Sequence, residues 1–264
     1  MEILRHLLLQ LLFTVGVIVV FGLLISLCRR TFLKTTGYTG YKILLITGAI
    51  GTPIHELSHA LACIIFGHKV VEMKLYQPGN VDGTLGYVNH MYNPKNLYHS
   101  IGNFFIGIAP ILGGSGVLLL LMSWLVPGVH AEFSRAASQI DVTNVGGYVG
   151  FFGGVLGAVF SPKNLINASW WIFILLALMI ASHMELSGAD LKGSYQGLIT
   201  LAVILLVMDA ILYFVAPAAL SAVTGAMMSF SGYIASFLII SAVFSLLILA
   251  LAPIIKSIAN RRRA

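Results

Sequence analysis

Between residues 51 and 67 the chain reads GTPIHELSHALACIIFG, which sets His55, Glu56 and His59 in an otherwise apolar run. Residues four apart on an α-helix stand one turn above each other on the same face. Both imidazoles can therefore address a single Zn²⁺, with Glu56 beside them as general base toward a coordinated water. Zinc lowers the pKa of such a water to about 7, so a nucleophile exists at neutral pH. At this chain's own His and Glu frequencies, an HExxH arises by chance in about 0.5% of such sequences. From residue 43 to 66 the only other ionisable group is Cys63. Each charge at the centre of a membrane helix costs about 2.5–3.5 kcal/mol. Packing alone does not explain three such groups in metal-binding register, and one zinc per chain is the expectation.

A catalytic zinc takes three protein ligands and keeps one position open. Three further acids, Glu185, Asp190 and Asp209, lie in or beside apolar runs. Asp190 sits in ASHMELSGADLKGSYQG, where Gly188 and Gly193 suggest a break between two apolar helices. A broken helix can turn a carboxylate toward a wet, buried cavity, where irregular backbone is tolerated at depth. Glu185, with His183, reads as a residue near a helix end. Asp209, in VILLVMDAILYF, lies on an apparently continuous helix and reads as a polar contact to another helix. Asp190 is the first choice for third ligand, with Glu185 and Asp209 as alternatives. His6, His68, His90, His99 and His130 fall in terminal or loop regions without ligand spacing and read as solvated or structural.

The elements that must position these residues are membrane helices. The 264 residues are 58% hydrophobic and only 9% charged, against about 25% charged in soluble domains. Apolar runs of bilayer-spanning length fall near 7–28, 43–66, 101–126, 165–183, 196–217 and 232–255. A glycine-rich segment, VGGYVGFFGGVLGAVF (145–160), reads as a short span, a re-entrant hairpin or a close-packed helix. The fold class is thus an all-α polytopic membrane protein of about 6–7 transmembrane helices. Its 264 residues form one membrane-embedded domain, with an expected location as a multi-pass protein of the cell membrane. Basic clusters at 29–42 and 256–263 fall on one side of the membrane only with seven spans, which favours seven under the positive-inside rule.

Between the second and third runs, residues 67–96 carry two β-leaning stretches, KVVEMKLY and TLGYVNH, around the turn-rich PGNVDG. A β-hairpin directly after the HExxH helix is the simplest reading. Trp170 and Trp171 read as an interface belt. The net charge of +6 arises from clusters flanking apolar runs, as headgroup contact and membrane orientation require; nucleic acid is not an expected partner. Cys28 and Cys63 give no disulfide framework or CxxC pair. No P-loop, dinucleotide-binding glycine motif or Ser/His/Asp constellation is evident.

HELSHALA within a membrane span, a hairpin after it and a distal aspartate at a helix break together resemble the site-2 protease family of intramembrane zinc metalloproteases. The resemblance covers about residues 43–200, which would be the catalytic core. It implies His55, His59 and Asp190 as zinc ligands and Glu56 as the catalytic base. It differs in one respect: Leu191 follows Asp190, where the family's aspartate is usually followed by glycine. The implied activity is zinc-dependent endopeptidase cleavage in or near the transmembrane segments of other membrane proteins. The hairpin, from Lys69 to His90, is the suspected substrate-binding element. Two other readings of the same residues are a non-proteolytic zinc-binding scaffold and an ion transporter.

Overall fold

In lipid, backbone hydrogen bonds are satisfied only within helices or closed barrels, and the chain takes the helical solution. The structure is a computed structural model and describes residues 1–80, 83–138 and 145–261. Helix α1 (Glu2–Leu11) runs through one widened π turn (Leu12–Gly16) into α2 (Val17–Ile65). The antiparallel pair β1 (Lys69–Lys74) and β2 (Tyr87–Met91) follows, with an irregular register between Val70 and Glu72. Helices α3 (Leu97–Leu125), α4 (Pro127–Ala137), α5 (Val145–Val159), α6 (Pro162–Leu165), α7 (Ala168–Ala181), α8 (Gly188–Val215) and α9 (Pro217–Arg261) complete the order.

The expected hairpin is present. Gly79 and Gly83 in its turn take positive φ, 87° and 77°, while Val81 and Asp82 lie outside the described residues. Arg262 and Arg263 of the C-terminal basic cluster lie outside them as well.

Among the described residues, four helical stretches are long and apolar enough to cross a membrane: Glu2–Ile65, α3, α8 and α9. The expected runs 7–28 and 43–66 belong to the first of these. It is broken where Gly37 takes φ 57°, ψ −133°, a conformation open to glycine because no Cβ obstructs it. Arg29 and Leu44, from either side of that break, line one small cavity with Ala181 and Ser182. Both arms of α2 therefore meet the same loop.

Helix α5, at 15 residues, is about 22 Å long, and α7, at 14, about 21 Å. Both fall short of a hydrocarbon core of about 30 Å. A Cβ on Gly150, Gly153, Gly154 or Gly157 would meet nothing within 4 Å. These four glycines of α5 thus serve no close helix contact among the described residues. The break expected around Gly188 and Gly193 lies earlier, at residues 182–187, and Gly193 is inside α8.

Helix α3 packs along both α2 and α8, and the core it shares with α7 and α9 includes the fully buried Ile111, Leu118, Phe173 and Phe244. Large apolar side chains on the outer faces, among them Val20, Ile46, Ile64, Trp124 and Phe214, are exposed, the surface that suits lipid contact. Trp171 is exposed, but Trp170 is buried and its Nε1–H donates to the Val159 carbonyl at 2.6 Å. The tryptophan pair is thus only half an outward-facing belt.

The α3–α8 approach depends on small residues. A Cβ on Gly107 would press on the Ser194 hydroxyl and stand 2.5 Å from the Asp190 carbonyl oxygen. Gly107→Val should push the start of α8 outward at a cost of about 1–3 kcal/mol. A lowered thermal midpoint of the purified protein in detergent checks this, and an unchanged midpoint would contradict it.

Candidate metal centre

The HExxH residues lie near the C-terminal end of α2, two residues after Pro53. Helical spacing stacks the two imidazoles, with Nε2 of His55 and Nε2 of His59 3.2 Å apart. Asp190 comes from the first turn of α8. Its Oδ1 lies 3.2 Å from His59 Nε2 and its Oδ2 4.0 Å from His55 Nε2. One ligand atom from each of the three residues lies within 4.8 Å of the others, the one such group of three among the described residues.

Each ligand is held from behind. A backbone carbonyl can only accept, so a histidine nitrogen facing one carries the proton and leaves its other nitrogen as a lone-pair donor to a metal. His55 Nδ1–H donates to the His183 carbonyl at 2.7 Å, and His59 Nδ1–H donates to the Ile106 carbonyl at 2.8 Å. Both Nε2 lone pairs then face Asp190.

The Ile106 carbonyl is available because of Pro110. In a helix it would accept from the residue four positions on, and proline has no N–H. Pro110 occupies that position inside α3. His59 supplies the missing donor, so one proline on α3 fixes the tautomer of a ligand on α2.

Asp190 is fixed by a helix cap. The Ser187 side chain accepts from Asp190 N–H at 3.1 Å, and Asp190 Oδ2 accepts from Ser187 N–H at 2.7 Å. This reciprocal pair is a capping box. It places a carboxylate at the positive end of the α8 dipole. The preceding loop is tied to both arms of α2. Glu185 forms an ion pair with Arg29, and the His183 ring contacts the hydroxyls of Thr47 and Thr52 at 3.0 and 3.3 Å.

Sequence reasoning placed Glu185 and Asp209 as alternative ligands, and the structure brings neither to the centre. Glu185 is engaged by Arg29, and Asp209 accepts from Gln10 Nε2 at 2.9 Å. The reading of Asp209 as a polar contact to another helix agrees with that bond. The donor set of two imidazoles and one carboxylate, with one position left open, suits zinc.

Glu56, buried, lines a cavity of about 520 Å³ together with His55, His59 and Asp190. The far wall is the hairpin: Gly86, Tyr87, Val88, Asn89 and His90 all face the same space. Gly86 lies close against Glu56, since a Cβ there would stand 2.8 Å from Glu56 Cγ and from the Lys74 carbonyl. The hairpin is moored by Tyr76, whose hydroxyl donates to the Leu45 carbonyl, and by His68. His68 is buried, not solvated: Nε2 meets the His99 carbonyl at 2.8 Å and Nδ1 meets His90 Nδ1 at 3.0 Å. Burial pushes both His68 and His90 below the usual histidine pKa, consistent with a neutral pair sharing one N–H···N bond.

Sequence reasoning missed Asn103, which is buried on α3 and lines the cavity. Its signal was an amide in an apolar helix one turn before Ile106. The cap was also legible, as S-G-A-D at 187–190. No family model, no curated protein and no solved structure matches this chain.

Zinc should be retained by wild type and by Glu56→Ala and lost from His59→Ala and Asp190→Ala, as read by elemental analysis of the purified protein. Full retention in Asp190→Ala would remove Asp190 from the ligand set. Pro110→Ala restores a backbone N–H that competes with His59 for the Ile106 carbonyl. It should weaken zinc by about 10–100-fold in a chelator competition assay, and unchanged affinity would refute the role given to Pro110.

Proposed function

We propose that the chain is a zinc-dependent intramembrane endopeptidase that hydrolyses peptide bonds in or next to the transmembrane segments of other membrane proteins. The observation that carries this reading is the presence of Glu56 in the same cavity as a three-residue ligand set that leaves a position open. A purely structural zinc is normally closed by four protein ligands. The six- or seven-span arrangement and residence in the cell membrane belong to this proposal. The two arms of α2 and the shorter α5 and α7 would each be counted as separate passages or partial ones.

Bound at this site, zinc would supply a Lewis acid that polarises a carbonyl and acidifies water. Glu56 would take a proton from the attacking water and return it to the leaving amide nitrogen as the C–N bond breaks. His55 and His59, held by the His183 and Ile106 carbonyls, keep their tautomers through the cycle. The Asn103 amide, on the same cavity wall, is a neutral donor for charge developing on the carbonyl oxygen.

A helical substrate hides its carbonyls in i→i−4 bonds and must unwind locally before attack. Strand β2 is bonded to β1 on one side, and its residues 87–90 line the cavity. Its other edge is suited to holding an unwound segment in extended form.

Membranes from cells expressing wild type or Glu56→Gln, compared by mass spectrometry of new peptide termini, test the activity. Cleavages within or beside apolar spans should be present with wild type and fall by at least about 100-fold with Glu56→Gln, whose zinc content stays unchanged. Identical termini in both samples would sink the protease reading. Proline at Tyr87 or Asn89 removes a strand N–H and should lower cleavage while sparing zinc; intact cleavage would count against the hairpin as a substrate strand.

A further inference from the structure

A second polar cluster lies away from the cavity, among α1, α8 and α9. Asp209 and Gln10 are completely buried. Gln10 Nε2 donates to Asp209 Oδ1 at 2.9 Å and to Thr224 Oγ1 at 3.0 Å, so both amide hydrogens are spent. Thr224 Oγ1 in turn pairs with His6 Nδ1 at 2.8 Å. Two oxygens are left over: Gln10 Oε1 and Asp209 Oδ2 are buried with no hydrogen-bond partner among the described residues. Both are acceptors, and neither has a donor.

No lysine or arginine closes this ledger. The salt bridges among the described residues pair Glu2, Glu132, Glu185 and Asp190, never Asp209. His6 is the one titratable side chain in the cluster besides Asp209, and it reaches Asp209 only through Thr224 and Gln10. A carboxylate buried in apolar surroundings without a counter-charge is strongly unfavourable. The turn directly after Gln10 is a π turn, Leu12–Gly16, and the Thr14 hydroxyl donates to the Gln10 carbonyl at 2.5 Å. Such widened turns occur often at functional positions.

We propose that Asp209 and Gln10 form a binding site for one small monovalent cation of the Na⁺ type. Hard oxygen donors suit a hard cation and not a soft transition metal, and the one carboxylate in the cluster favours a monovalent ion over a divalent one. A single positive charge would balance the single carboxylate, and the two orphaned oxygens belong to side chains already brought together by the Gln10 Nε2–Asp209 Oδ1 bond. The ion would reinforce the link between α8 and α1 that the Gln10–Asp209 hydrogen bond already makes. The site is separate from the zinc centre, and its occupancy does not depend on proteolysis.

The test is thermal unfolding of the full-length protein in detergent, with NaCl replacing choline chloride at constant ionic strength. Wild type should gain about 2–4 °C, saturably, as Na⁺ rises. Asp209→Asn should lose that gain and keep its zinc. Direct ²²Na⁺ binding to wild type supplies a second readout should the variant fold poorly; a saturable site near one ion per chain supports the proposal. Equal midpoints in the two salts together with no ²²Na⁺ binding would overturn it. So would a Na⁺ gain that persists in Asp209→Asn. A wild-type midpoint that follows pH but not Na⁺, with the pH effect absent in Asp209→Asn, would assign a proton to the pair and also overturn it.

Discussion

One backbone carbonyl holds much of the site in register. Ile106 would ordinarily spend its oxygen on the helix of which it is part, but Pro110 removes the N–H that would take it. In lipid an unmet carbonyl costs several kcal/mol, so α3 needs an outside donor at that level. His59 is the donor, at 2.8 Å. The bond satisfies the helix and sets the histidine's tautomer in one stroke. It also fixes the height of α2 against α3.

The third candidate ligand, Asp190, depends on a different device. Helix α3 packs along both α2 and α8, which puts the start of α8 beside the HExxH turn. The first turn of a helix is where a carboxylate is best tolerated, through the dipole and the free N–H groups. Asp190 gains both at the cap made by Ser187. The loop before it is pinned by the Arg29–Glu185 pair and by the contacts of His183 with Thr47 and Thr52. That same loop offers the His183 carbonyl to His55. A six-residue connection thus orients one ligand, caps a second and ties both arms of α2 together.

The sequence carried the site further than the architecture. His55, Glu56 and His59 follow from helical spacing alone. Asp190 could be ranked first because Gly188 and Gly193 suggested a break between two helices, although the break lies before Gly188 and the Ser187 cap passed unread. The hairpin was legible from turn chemistry, with Gly79 and Gly83 at the positive-φ positions. Long-range partners were not legible. Nothing local in HSIGNFFIGIAP says that Ile106 faces His59, or that Asn103 shares its cavity. Glu185 and Arg29, 156 residues apart, show the same limit: each reads as interfacial until the fold joins them. The helix lengths misled for a related reason. Hydropathy marks apolar runs but does not show that two of them are joined through Gly37, or that α5 and α7 are too short to cross unaided.

For the proposed hydrolysis, the hairpin would resolve a conflict. Hydrolysis needs water and an extended chain, and a helical bundle in lipid provides neither. Here one wall of the cavity beside Glu56 is the hairpin, and Gly86, directly before β2, leaves no room for a Cβ between the hairpin and the glutamate. Groups of the hairpin and α3 then share the pocket with His55, Glu56 and His59 of α2 and with Ser187, Asp190 and Gln196 at the start of α8. Fixed dipoles in a partly buried cavity act with less screening than in bulk water. Under the proposed function, the burial that makes three ionisable groups expensive to place would also make them effective with a metal and a water in the same space. A more open site would house the same residues at lower cost and give up that gain.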